Sequence, residues 1–388
     1  MKNNRTFLEK LLDGAEVEWK PLKDILIRTK GTKITAAEMK VLHKDNAPLK
    51  IFAGGKTFAL VNFEDIPEKD INKNPSIIVK SRGIIEFEYY DKPFSHKNEM
   101  WSYYSNDKNI NIKYIYYVLK NQEPYFQNLG SKMQMPQIAT PDTDKYLVPI
   151  PPLSVQTEIV KILDALTALT SELTSELTSE LILRQKQYEY YREKLLNIDE
   201  MNKVIELGDV GPVRMCKRIL KNQTASSGDI PFYKIGTFGK KPDAYISNEL
   251  FQEYKQKYSY PKKGDILISA SGTIGRTVIF DGENSYFQDS NIVWIDNDET
   301  LVLNKYLYHF YKIAKWGIAE GGTIQRLYND NLKKVKISIP PLKEQHRIVS
   351  ILDKFETLTN SITEGLPLAI EQSQKRYEYY RKLLLNFS

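Results

Sequence analysis

A chain of 388 residues, 41% of them apolar, can bury real cores but exceeds one ordinary domain; this excludes a disordered polypeptide and predicts two domains with connecting elements. Its net charge of +6 is a mild basic excess, which would serve a nucleic-acid partner only if it acts locally through grooves or loops. A single cysteine, Cys216, excludes an intrachain disulfide and a thiolate zinc cluster, and four histidines (His43, His96, His309, His346) lack metal-ligand spacing.

In chain order, Met1 to Arg5 lack the apolar core of a signal peptide, and no run approaches a membrane span. A cytoplasmic protein without a membrane partner is expected. Residues 1–19 form an N-terminal segment. Residues 20–150 read as a mixed α/β domain, with β-type runs at 76–79 and 83–87, a Tyr-rich helical stretch at 112–119, and a polar loop at 130–134. Residues 151–200 carry apolar positions at steps of three and four, the period of a long helix. Thr-Ser-Glu-Leu occurs three times in tandem there, at 170–173, 174–177 and 178–181. Residues 201–339 repeat the mixed pattern, with β-type runs at 265–268, 277–280 and 291–295, a Tyr-rich stretch at 304–311, and a polar loop at 321–326. Residues 340–388 form a second long helical segment, which Gly365 and Pro367 should kink or break.

The two halves match. Pro151-Pro152-Leu153 recurs as Pro340-Pro341-Leu342, 189 positions later, and the same offset relates Ile162-Leu163-Asp164 to Ile351-Leu352-Asp353. It also relates the Tyr-Glu-Tyr-Tyr-Arg runs at 188–192 and 377–381. Ile159, Ile162, Leu166, Leu169, Leu173, Leu177, Leu181, Tyr188, Tyr191 and Leu195 form the predicted apolar seam of the first helix. A lone amphipathic helix of about 65–70 Å cannot bury its own stripe. The pattern therefore predicts two long antiparallel coiled-coil-like helices separating two mixed α/β (α+β) domains, in a circularly ordered pseudo-twofold arrangement. The N-terminal segment should pack near the C-terminal helix, because residues 9–12 repeat the Glu-Lys-Leu-Leu of 193–196. The other reading of the helices is as ordinary core helices of two domains.

The scaffold repeats while the domains diverge, which suits an asymmetric two-part target. Base edges are read by Arg, Lys, Asn or Gln, and phosphates by Lys, hydroxyls and amides. The first domain offers Lys33, Lys56, Thr57, Arg82, Ser131, Lys132 and Gln134. The second offers Lys217, Arg218, Lys240, Lys241, Ser271, Thr273, Arg276, Gln325 and Arg326. No catalytic or metal-ligating constellation stands out. Gly55-Lys56-Thr57 ends like a phosphate-binding loop, but Lys50 occupies its first glycine position. The Gly272–Gly275 run is too short for a dinucleotide fingerprint, and Lys92 interrupts the methyltransferase-like tetrapeptide at 91–94.

In the order and duplication of these motifs the chain resembles the specificity subunits of type I restriction–modification enzymes, in the branch with tandem four-residue repeats in the central helix. The resemblance covers essentially the whole length. It implies a non-catalytic subunit with two target-recognition domains, each reading half of a bipartite site in double-stranded DNA. The helices would set the spacer and dock two methyltransferase subunits, joined by restriction (translocase/nuclease) subunits. It implies no cofactor on this chain; S-adenosylmethionine, ATP and Mg2+ would serve the partners. The alternatives are a coiled-coil adaptor whose domains bind proteins, and a self-sufficient DNA-modifying enzyme.

Overall fold

The structure, a computed structural model, describes residues 6–131, 135–197, 202–317, 325–361 and 364–387. It divides into unit 1, residues 1–176 with 371–388, and unit 2, residues 177–370.

Unit 1 opens with α1 (Phe7–Leu12), β1 (Glu18–Pro21), α2 (Leu22–Ile25), β2 (Ile27–Arg28) and α3 (Ala36–Leu42). Strands β3 (Leu49–Phe52), β4 (Phe58–Val61), β5 (Ser76–Lys80), β6 (Glu86–Tyr90), β7 (Phe94–His96) and β8 (Trp101–Tyr104) follow. Then come α4 (Ile112–Asn121), α5 (Glu123–Gly130), α6 (Thr140–Asp144), β9 (Leu147–Ile150) and the start of α7 (Leu153–Leu196). Unit 2 receives the end of α7, then β10 (Lys203–Glu206), α8 (Leu207–Val210), β11 (Val213–Met215), β12 (Ile230–Tyr233), β13 (Tyr245–Ile246) and α9 (Asn248–Lys257). It continues through β14 (Ile266–Ser269), β15 (Thr277–Ile279), β16 (Tyr286–Phe287) and β17 (Ile292–Ile295). It ends with α10 (Asn304–Tyr311), α11 (Asn329–Lys333), β18 (Lys336–Ile339) and α12 (Leu342–Asn360); α13 (Leu366–Leu384) returns the chain to unit 1.

The sheets correspond strand for strand. β1–β9 matches β10–β18, β2-β8-β5-β6 matches β11-β17-β14-β15, and β4-β3-β7 matches β13-β12-β16. In the last pair the ladders β3–β7 and β12–β16 are both parallel. Central strands are apolar and fully buried, as Ile77, Ile78 and Val79 are in β5 and Ile266, Leu267 and Ile268 in β14. Leu8 of α1 shares one apolar cluster with Ile159 and Leu163 of α7 and with Leu384 and Leu385 at the end of the chain.

The long helices contribute to both units. In unit 1, Thr167 Oγ1 donates to Tyr377 OH at 3.1 Å; in unit 2, Tyr188 and Tyr191 stack on Phe355. Two expectations are refined. The predicted seam of α7 included Leu169 and Leu173, yet these are 63% and 42% exposed. The predicted Leu166, Leu177, Leu181 and Tyr188 are covered, and Leu163, Thr170, Thr174 and Arg184 are covered beside them. Leucines spaced four apart drift about 40° per step, so the leucines from 169 to 181 cannot all lie on one 3.5-residue seam; Leu169 and Leu173 fall outside it and Leu177 and Leu181 are half-buried. The second long helix is broken: α12 stops at Asn360 and α13 starts at Leu366. Between them Gly365 sits at φ +89°, where an added Cβ would lie 2.6 Å from the Thr357 carbonyl oxygen.

Each unit fastens its Tyr-rich helix to its long helix in the same way. Buried Gln156 donates to the Pro151 and Asn109 carbonyls and accepts from the Asn111 amide. Asp164 accepts from Lys113 and Tyr117 on α4. In unit 2, buried Gln345 donates to Pro340 and Leu301 and accepts from Leu303; Asp353 accepts from Lys305 and His309 on α10. Tyr114 and Tyr306 add equivalent bonds to the Pro149 and Ser338 carbonyls.

The two clamps differ in one titratable group. Burial lowers the His309 pKa despite the opposing pull of Asp353. Nε2 faces an acceptor-only carboxylate, so it carries the proton, and Nδ1 faces Tyr188 OH. A neutral buried imidazole stabilises the fold fully above the unfolded histidine pKa of about 6.5, and that contribution is lost as pH falls towards the lower folded value. The Tm should therefore fall by a few degrees between pH values of about 7.5 and 5.5, and less steeply in His309→Gln. Parallel Tm–pH curves for the two proteins would contradict this. His96 of unit 1, also lowered by burial, acts in the same direction in both proteins.

Candidate nucleic-acid interface

In unit 1 four connections meet at one turn. β3 and β7 run parallel with Phe52 opposite His96, so the β3–β4 and β7–β8 turns leave the sheet at the same end. The Lys97 amide donates to the Phe52 carbonyl, and Thr32 bridges to Lys97 from the segment after β2. Ser81, opening the β5–β6 connection, donates to the Glu99 carbonyl. Arg82 bridges to Gln137 in the loop after α5, and the Ile138 amide donates to Ser81. The segment after β2, the β3–β4 turn, the β5–β6 connection and the loop after α5 thus surround residues 97–100.

The charges follow this geometry. Lys33, Lys56, Thr57, Arg82 and Ser131 are exposed on these connections, one or more on each. Lys132 and Gln134 lie outside the described residues. An open cleft of about 830 Å³ is lined by Arg28, Lys30, Lys33, Lys69, Trp101 and Thr140 among others, so Lys30 and Lys69 join the set that sequence reading assembled. Arg28 is paired with Asp144 at 2.6 Å. Burial pushes the Glu99 carboxyl up, but Lys97 and nearby Arg82 outweigh it and hold the group below its ordinary range.

Unit 2 builds the same arrangement around residues 288–291. The Gln288 amide donates to the Tyr233 carbonyl, and Gln288 Oε1 accepts from the Ile235 amide. Arg218 pairs with Asp289 at 2.9 Å, and the Arg326 guanidinium reaches the Ser290 carbonyl at 3.5 Å. Ser271 bridges to Arg326, and the Leu327 amide donates to Ala270. These two links stand 189 positions after Arg82–Gln137 and Ile138–Ser81. Lys217, Lys240, Lys241, Thr273 and Gln325 are exposed on these loops, and Lys217 lies over the Tyr258 ring.

Two candidates turn inward. Ser271 is buried and donates to Asn291 Oδ1. Arg276 is half-buried and gives one nitrogen to the Phe238 carbonyl, tying the Lys240 loop to the β14–β15 hairpin. Both brace the loops that carry Thr273, Lys240 and Arg326. Gly275 permits the brace: it adopts φ +82°, and a Cβ there would lie 2.2 Å from the Trp316 indole nitrogen.

Two of the three enzyme-like fragments take hairpin geometry. Gly55-Lys56-Thr57 turns between β3 and β4, and the Ser271–Gly275 run turns between β14 and β15, so neither opens a helix. His309, Asp353 and Glu356 lie within 4.8 Å of one another, but Lys305 and Lys312 already neutralise the two carboxylates. That cluster is an ion-pair network.

A family model described as the type I restriction modification DNA specificity domain matches residues 15–182 and again 199–372, one copy for each half. The chain belongs to the type I restriction–modification DNA specificity family. It is 70% identical over 398 aligned positions, covering all of both chains, to a Haemophilus influenzae protein described as a putative type I restriction enzyme specificity subunit. It is 34% identical, over 98% of this chain and 97% of the other, to the EcoR124I/EcoR124II specificity subunit of Escherichia coli. Among solved structures, a chain from a study of assembly and conformational transition of the type I restriction–modification system matches at TM-score 0.64 and 15% identity, over 95% and 98% of the two chains. The HsdS subunit of Thermoanaerobacter tengcongensis matches at TM-score 0.54 and 15% identity, over 95% of each chain. At those identities the likeness concerns the fold. Among the described residues no helix is long and apolar enough to cross a membrane.

The candidate interface residues that sequence reading did not single out are the turns at 97–100 and 288–291, together with Lys30 and Lys69. Their only signal was position between short strands. The Asp164/Asp353 pair was read at the 189-residue offset; Gln156 and Gln345 stand at the same offset but were not singled out in the sequence.

Proposed function

We propose that this specificity subunit reads an asymmetric bipartite site in double-stranded DNA, each unit presenting its four converging loops to one half-site. The observation that carries the reading is this convergence, built from equivalent strand ends in both units but furnished with different side chains. Shared backbone geometry positions a reader, and unshared side chains make the two half-sites different. The long helices set the spacer and dock two methyltransferase subunits, with restriction subunits joining them in the cytoplasm. The chain itself is non-catalytic, and S-adenosylmethionine, ATP and Mg2+ belong to those partners. Support for this comes from the family and from hairpin geometry where enzyme-like fragments stand.

The test is transfer of labelled methyl groups from S-adenosylmethionine to DNA by the chain alone and by the chain with a type I methyltransferase subunit. Methylation of a split sequence by the complex only is expected. Transfer by the chain alone would overturn the non-catalytic reading, and complex-dependent methylation without a split sequence would overturn the bipartite one.

A further inference from the structure

We infer that Gln156 and Gln345 are positioning residues that hold each recognition domain at a fixed angle on its long helix, and through that angle set how strictly spacer length is read. This rests on the bipartite reading above.

Both amides are fully buried, and both make the same set of bonds. Gln156 Nε2 reaches the Pro151 carbonyl at 2.8 Å and the Asn109 carbonyl at 3.0 Å, and its Oε1 receives the Asn111 amide at 2.9 Å. Gln345 makes the corresponding bonds at 2.9, 3.0 and 2.9 Å to Pro340, Leu301 and Leu303. Each glutamine stands in the first turn of a long helix. It fastens that turn backwards to the end of the last strand and sideways to the segment that starts the Tyr-rich helix. About two turns later an aspartate grips the same Tyr-rich helix. Asp164 takes Lys113 and Tyr117, and Asp353 takes Lys305 and His309.

Apolar packing seats each helix start in its domain, through Val155, Ile159 and Leu163 in unit 1 and Ile348, Val349 and Leu352 in unit 2. That packing is non-directional. The glutamine and aspartate bonds add a defined angle, because pivoting must break buried hydrogen bonds whose partners have no water to turn to. The readers diverged in side chains while this latch kept identical donors and acceptors at an offset of 189 residues. In both halves the latch stands at the junction of long helix and domain, where it ties the one to the other.

The experiment uses the full chain in complex with a type I methyltransferase subunit. Duplexes carry the mapped half-sites with the native spacer or with one base pair added or removed, and methylation of each is measured. Gln156→Leu and Gln345→Leu should each lower the preference for the native spacer about tenfold, the scale of a lost set of buried hydrogen bonds, while the half-site sequences stay unchanged. Thr143→Val, which removes a buried partner of Trp101 and Tyr103 inside the first domain, supplies the comparison for general destabilisation. It should lower methylation of all spacers alike. Gln156→Glu and Gln345→Glu keep the acceptor for the Asn111 and Leu303 amides and supply the reading should the leucine variants not assemble. Wild-type protein indifferent to spacer would overturn the bipartite reading. A selective wild type with latch variants whose spacer profiles match that of Thr143→Val would overturn the latch alone.

Discussion

Deletion of residues 174–177, one Thr-Ser-Glu-Leu unit, will shorten the spacer of the methylated site by one or two base pairs and leave both half-site sequences unchanged. α7 is a single helix of 44 residues, and the deletion lies within it. Four residues of α-helix span about 6 Å and advance about 40° beyond a full turn. One base pair of B-DNA rises about 3.4 Å and turns roughly 35°. The lost length thus corresponds to about two base pairs and the lost rotation to about one, which bounds the expected change. The repeat tolerates the deletion because its leucines are not a tightly packed core: Leu173 is 42% exposed, and Leu177 and Leu181 are only half-buried, as are Thr170 and Thr174. Removing a whole unit restores the same residue types at each level of the helix. Sequencing methylated sites from cells carrying wild-type or deleted protein gives the answer. Altered half-sites with an unchanged spacer would contradict the role of α7 as the ruler.

The second large effect concerns the loops of unit 2. Lys240→Ala with Lys241→Ala should weaken binding by the complex at all sequences. The slope of log affinity against log salt should become shallower by roughly 0.9 for each phosphate that is no longer neutralised. Arg326→Ala should act differently. Its backbone bridges to Ser271, while its guanidinium reaches the Ser290 carbonyl and the Tyr328 ring. A base-reading arginine there is worth about 1–3 kcal/mol of discrimination, so one position of the second half-site should become degenerate. The first half-site should remain as it was, because unit 1 has its own loops. Binding isotherms at several salt concentrations, with methylated-site sequencing, separate the two classes. An unchanged second half-site in Arg326→Ala would remove that residue from base readout. An unchanged salt slope in the double lysine variant would remove the Lys240 loop from the phosphate path.

The inward turn of Ser271 and Arg276 explains why the second domain offered more candidates in its sequence than its loops present to solvent. Residues of the types that bind DNA are also those that close loops onto carbonyls. Ser271 gives its hydroxyl to Asn291 and Arg276 gives a nitrogen to Phe238, whereas Lys240 and Thr273 remain exposed. Composition cannot separate the two uses. Only the partner atoms can.

The duplicated scaffold was legible in the chain before any folding was considered. Helical periodicity is local, and the positions that clamp a helix must return in the same step wherever the clamp returns. Pro151 and Pro340, Gln156 and Gln345, and Asp164 and Asp353 therefore stay in register across 189 residues. The break near Gly365 was legible for the same reason, since backbone conformation there depends on nearest neighbours. Which loops meet was a different matter, settled by long-range strand pairing. Phe52 opposite His96 and Tyr233 opposite Phe287 are parallel pairings between strands far apart in the chain, and no local pattern encodes them. Those pairings bring four connections to one end of each unit. They turn scattered lysines and arginines into two candidate DNA-reading surfaces, and they determine which of those side chains face outward and which brace the loops.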